Sequence, residues 1–139
     1  MPTPDIIAVS AGLVFRAGKL LITQRLAKDH LGGLWEFPGG KLEPGETYEG
    51  SLVRELREEL GIEVAVGELV ETIEHDYPGK SVRLKFFRCR LLQNEPQPLG
   101  CAAVAWITRD QLSQYEFPPA DERLLEQLRR HEEFWRDTA

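Results

Sequence analysis

The chain has 139 residues, 42% of them hydrophobic, enough for one compact domain whose core needs no staple. A formal net charge of -6 argues against a general binder of the nucleic-acid backbone, which needs a basic field, although a local basic pocket fits inside an acidic total. Cys89 and Cys101 have neither zinc-site nor disulfide-framework spacing and read as buried thiols in a reducing compartment.

No apolar run approaches the roughly 20 residues of a membrane-spanning helix, and Met1 to Ile7 do not follow the basic-then-apolar order of a secretion signal. The expectation is a cytoplasmic protein that makes no membrane contact. Ile6 to Phe15 and Lys19 to Arg25 are short β-branched runs around Ala17-Gly18, which predicts a hairpin. From Leu26 to Glu46 the glycines and prolines forbid a long regular element, and a loop of that length is a place to look for a site. Thr47 caps a predicted helix running to about Leu60, with Gly61 as its stop. Val64 to Tyr77 and Val82 to Leu92 predict strands around a Pro78-Gly79 turn, and Ala102 to Ile107 another. Asn94 to Gly100 reads as a loop and Asp110 to Gln114 as a short helix. Asp121 is expected to cap a last helix with Leu124, Leu125, Leu128 and Trp135 on one face. The alternation of strands and helices gives an α+β or α/β domain.

The predicted first helix poses an electrostatic question. At about 100° per residue Leu52, Leu56 and Leu60 share a stripe with Val53 beside them, while Glu55, Glu58 and Glu59 fall on another face. Like charges at this spacing destabilise an isolated helix by some tenths of a kcal/mol per pair. Arg54 and Arg57 could make this a solvated salt-bridge face, Arg54 reaching Glu58 one turn on. The same carboxylates suit a hard divalent cation, which leaves positions open for phosphate oxygens. Helix spacing leaves both readings open.

The flanking residues narrow the choice. Gly40 is followed after five residues by Glu46, and after seven more by Arg54-Glu55-Leu56-Arg57-Glu58-Glu59-Leu60-Gly61-Ile62. Residues 40–62 resemble the complete Nudix box, matched at every fixed position. Gln24-Arg25, the run Leu34 to Lys41, His75 to Pro78, and Phe117 to Asp121 resemble the MutT-like branch of that hydrolase superfamily, so the likeness covers nearly the whole chain. It implies an α/β Nudix fold, an α/β/α sandwich around a central mixed β-sheet, in one domain over residues 1–139. It also implies Mg²⁺-dependent hydrolysis of a nucleoside triphosphate, with Mn²⁺ able to substitute.

By position in the resemblance, Glu55, Glu58 and Glu59 with the Gly39 carbonyl match the metal shell, and Glu46 and Arg54 its supports. Arg25, Glu36, Phe37, Lys80 and Asp121 match positions that touch substrate. The implied products are a nucleoside monophosphate and pyrophosphate, from attack on the β-phosphorus. Many relatives carry an acid six residues before the tryptophan of the penultimate strand; here that place is Gly100. Gln97 or Glu95 moving in, or Glu58 or Glu59, then has to activate the water. Asp121 accepts hydrogen bonds when ionised, which suits the amide N–H groups of 8-oxoguanine and equally the cytosine amine. The leading expectation is clearance of a damaged nucleotide such as 8-oxo-dGTP. The alternatives are a (d)CTP or modified pyrimidine triphosphate pyrophosphohydrolase and, in another class, a non-catalytic nucleotide sensor. Stable nucleic-acid binding is not expected, and the state is monomer or homodimer.

Overall fold

A computed structural model describes residues 5–136. Seven strands form one sheet: β1 (Asp5–Arg16), β2 (Lys19–Gln24), β3 (Trp35–Glu36), β4 (Gly39–Lys41), β5 (Glu63–Tyr77), β6 (Lys80–Gln93) and β7 (Ala103–Ile107). Two α-helices, α1 (Tyr48–Leu60) and α2 (Glu122–Arg130), cover it, with 3-10 turns at Arg109–Gln114, Pro119–Asp121 and Glu132–Trp135. The main path is β3-β2-β1-β6-β5, with β4 paired to β1 and β7 to β2. β1 and β6 run parallel from Asp5↔Lys80 to Phe15↔Arg90, and the other pairs are antiparallel, so the sheet is mixed.

Alternation along the strands separates the two faces. Leu13, Phe15, Leu20 and Ile22 face Leu124, Leu125, Leu128 and Trp135, while Val14 and Leu21 face Leu52, Leu56 and Leu60 of α1. Helices therefore cover both faces of the sheet, as an α/β/α sandwich requires. Each leucine of the α1 stripe is fully buried, a contribution of about 1.5–3 kcal/mol apiece.

The local signals place the ends of α1. Thr47 is extended and its hydroxyl accepts the Gly50 N–H, while Gly61 takes the left-handed conformation, φ 70°, that closes the helix. Ala17-Gly18 turns β1 into β2 with both residues at positive φ, 51° and 76°. The loop expected from Leu26 to Glu46 contains the two short strands β3 and β4, which are too short to show a period. The last helix also departs from expectation. Asp121 makes no capping hydrogen bond, because the Pro119–Asp121 turn runs into α2 and leaves it helical, φ −86° and ψ −4°. Trp135 belongs to a separate 3-10 turn after His131, although it packs into the same core. Among the described residues, no helix is long and apolar enough to cross a membrane.

Candidate active site

The site grows from two glycines of β4. A Cβ on Gly39 would lie 2.0 Å from the Ser10 carbonyl oxygen, and one on Gly40 would lie 2.4 Å from the Glu55 carboxylate carbon. Only bare α-carbons let β4 lie against β1 with the helix carboxylate resting on it.

Arg54 organises the acids around that point. Its Nε donates to Glu46 at 2.7 Å and one terminal nitrogen to the other Glu46 oxygen at 2.8 Å. The other terminal nitrogen reaches Glu55 at 2.9 Å and Glu58 at 3.1 Å. Glu46 also accepts the Glu43 N–H at 2.7 Å, and the Arg54 bonds together with that one hold its carboxyl down at about 2. Glu59 behaves oppositely: burial first, then the charges of Glu55 and Glu36, push its pKa to about 8.

The three acids do not stand alike. Glu55 and Glu59 are half-buried and within electrostatic range of each other, whereas the Glu58 side chain is 59% exposed and turned to Arg54. Among the described residues, no three His, Cys, Asp or Glu side chains converge as a ready-made metal cage. The donor chemistry nevertheless fits a divalent ion. The charges of Glu55 and Glu36 disfavour the ionised form of Glu59, and a cation placed there relieves that repulsion.

Beside these groups opens a cavity of about 720 Å³, which Gly39, Gly40, Glu59 and all five expected substrate-touching residues line. Arg25 is committed within the protein: Nε donates to the His30 carbonyl at 2.7 Å and a terminal nitrogen to Glu36 at 2.8 Å. Burial raises the pKa of Glu36 against that pairing. Phe37 is a wall residue, 4% exposed, stacked on Phe117 at 5.2 Å and edge-on to Phe86 at 6.0 Å. Lys80 is exposed at the β5–β6 turn, its Nζ 5.8 Å above the Tyr77 ring. Asp121 is 6% exposed, and burial followed by the charge of Glu36 lifts its pKa to about 7. Glu36 thus lies within the electrostatic range of both Glu59 and Asp121.

Glu95 does not enter the site, because both its oxygens are bound by Arg16. Cys89 is buried, its thiol pushed up to about 12 by desolvation, but Cys101 is only half-buried and lines the cavity. Lys41, Asp29 and Ser10 also line it without having been singled out. Lys41 carried a signal in its place beside Gly40; the other two depend on contacts far apart in the chain.

A family model described as NUDIX domain matches residues 10–127. A CTP pyrophosphohydrolase of Escherichia coli is 41% identical over 87% of this chain and 90% of its own length. An 8-oxo-dGTP diphosphatase of Proteus vulgaris is 46% identical over 63% of this chain and 79% of its own. Among solved structures, one from work on MutT of Aliivibrio salmonicida and Vibrio cholerae superposes with a TM-score of 0.76 at 30% identity, covering 90% of this chain and 97% of that one.

Proposed function

The chain belongs to the NUDIX domain family of hydrolases, and from that premise we propose a nucleoside triphosphate pyrophosphohydrolase that clears an oxidised nucleotide such as 8-oxo-dGTP. Enzymes of this family work with a divalent metal; here Mg²⁺ is the proposed ion, held by Glu55, Glu58, Glu59 and the Gly39 carbonyl. When bound, it offsets the polyphosphate charge and acidifies water. The observation that carries the reading is the Glu55 carboxylate resting on Gly40, with Glu59 beside it in the wall of a cavity large enough for a nucleotide.

The chain's own groups then divide the work. Arg54 fixes Glu46, Glu55 and Glu58 in one array. Glu59 faces the cavity and, in its ionised form, takes the proton of the attacking water. That water adds to the β-phosphorus, whose bond to the oxygen bridging it to the α-phosphorus breaks, leaving the nucleoside monophosphate and pyrophosphate. Glu36 and Asp121 meet the polar edge of the base and Phe37 backs its apolar face.

A second reading, a (d)CTP pyrophosphohydrolase, is favoured by the 41% identity to the E. coli enzyme. With a pKa near neutrality, Asp121 is available both as donor and as acceptor, which suits either base. Steady-state kinetics with Mg²⁺ on 8-oxo-dGTP, dGTP, dCTP, CTP and ADP-ribose test both. Highest kcat/KM on 8-oxo-dGTP supports the first reading and on dCTP or CTP the second; preference for ADP-ribose contradicts both.

A further inference from the structure

One segment closes the carboxyl end of α1. The last carbonyls of a helix are beyond the reach of its own amides. Here the Leu99 and Gly100 N–H groups donate to the Glu59 carbonyl at 3.1 and 3.0 Å, and the Gln97 N–H donates to the Leu60 carbonyl at 3.0 Å. Asn94 Nδ2 adds a bond to the Gly61 carbonyl at 3.1 Å. The segment is anchored at Glu95 by Arg16, whose guanidinium lies 4.3 Å over the Trp106 ring.

The same segment touches the side chain of Glu59. A Cβ on Gly100 would lie 3.2 Å from Glu59 Cγ, 3.4 Å from its Cα and 3.5 Å from its Cβ. Gly100 is not among the glycines at positive φ, so no left-handed backbone demands glycine there, and the constraint on its side chain is space. Gly100 and Glu59 both line the cavity.

We propose that Gly100 is a positioning residue for Glu59. Its bare α-carbon lets residues 94–100 close onto α1, and it forms the wall that holds the Glu59 stem with the carboxyl in the cavity. The inference rests on the reading of Glu59 as a metal-holding group. Alanine at 100 pushes Glu59 by a few tenths of an ångström, and because the nearest atom is Cγ of that flexible side chain, folding stability is expected to stay nearly unchanged.

The test is a Mn²⁺ titration of metal-free protein followed by electron paramagnetic resonance, with steady-state kinetics and thermal unfolding on the same variants. Gly100→Ala is expected to weaken Mn²⁺ binding by about tenfold, as for other groups that support a ligand. It should lower kcat with the nucleotide KM and Tm nearly unchanged. Asn94→Ala, which loosens the segment without adding atoms beside Glu59, is expected to weaken binding less. Gly100→Glu is expected to weaken it more, since the longer side chain displaces Glu59. Parental Mn²⁺ affinity and kcat in Gly100→Ala would overturn the proposal, and so would tighter binding in Gly100→Glu. Glu59→Gln tells the two readings apart. If it binds Mn²⁺ like the parent, the metal reading of Glu59 falls and this inference with it. If it loses Mn²⁺ while Gly100→Ala keeps it, this inference alone falls.

Discussion

Arg54 and Glu46 meet through two parallel hydrogen bonds, 2.7 and 2.8 Å, that tie the loop after β4 to the middle of α1. The planar guanidinium spends one edge on Glu46 and still reaches Glu55 and Glu58 from its remaining nitrogen. A lysine offers one point charge and cannot serve three carboxylates in fixed directions. Arg54→Lys is therefore expected to lower kcat by about 10- to 100-fold, a range typical of groups that orient metal ligands. Steady-state kinetics at saturating Mg²⁺ check this, and a parental kcat would remove Arg54 from the array.

A ligand that binds only the folded state adds to its stability. Mg²⁺ at about a hundred times its Kd should stabilise the protein by about 2.7 kcal/mol and raise Tm. Glu59→Gln should flatten that response, since it removes one carboxylate of the Glu55–Glu59 pair. Thermal unfolding with and without Mg²⁺ decides it; an equal rise in both proteins places the ion elsewhere.

Asp121 predicts a pH dependence of stability. Its folded pKa, about 7, lies above the ordinary 3.8 because burial disfavours the charged form. Between those values the folded protein holds a proton that the unfolded chain has released, so stability is full below about 4 and falls as pH rises to about 7. Asp121→Asn removes that loss. It should be more stable than the parent at pH 8, by on the order of a few kcal/mol, with no such gain at pH 4. Urea unfolding at the two pH values measures the difference, and an equal effect at both would mean that Asp121 does not titrate on folding.

Much of the fold was legible because its signals are local. Thr47 and Gly61 bound α1 through their own side chain and backbone, and Leu52, Leu56 and Leu60 carry the period that buries it. The Nudix box likewise lies on one continuous stretch, which is why the candidate acids could be picked out together. What was not legible depends on competition or distance. Helix spacing pairs Arg54 with Glu58 alone, whereas its guanidinium is shared with Glu46 and Glu55 as well. Asp121 looked like a cap until Pro118 and Pro119 began a 3-10 turn ahead of it. The contact between Gly100 and Glu59 joins residues far apart in the chain, and no local pattern announces it.

Ser10 gives a prediction with the opposite sign from most core substitutions. It is fully buried, and its hydroxyl has no hydrogen-bond partner among the described residues. Burying a hydroxyl without a partner costs about 1–3 kcal/mol. Ser10→Ala is expected to leave stability unchanged or raise it by about 1 kcal/mol in urea unfolding. A loss of that size would show that the hydroxyl is satisfied in solution, by a buried water for instance.

The most direct test of the central claim is the identity of the products. Incubated with Mg²⁺ and 8-oxo-dGTP or dCTP, the protein should release the nucleoside monophosphate and pyrophosphate, read by phosphorus NMR, and Glu59→Gln should release neither at a comparable rate. Orthophosphate with a nucleoside diphosphate, or no turnover of either triphosphate by the parent protein, would contradict the account.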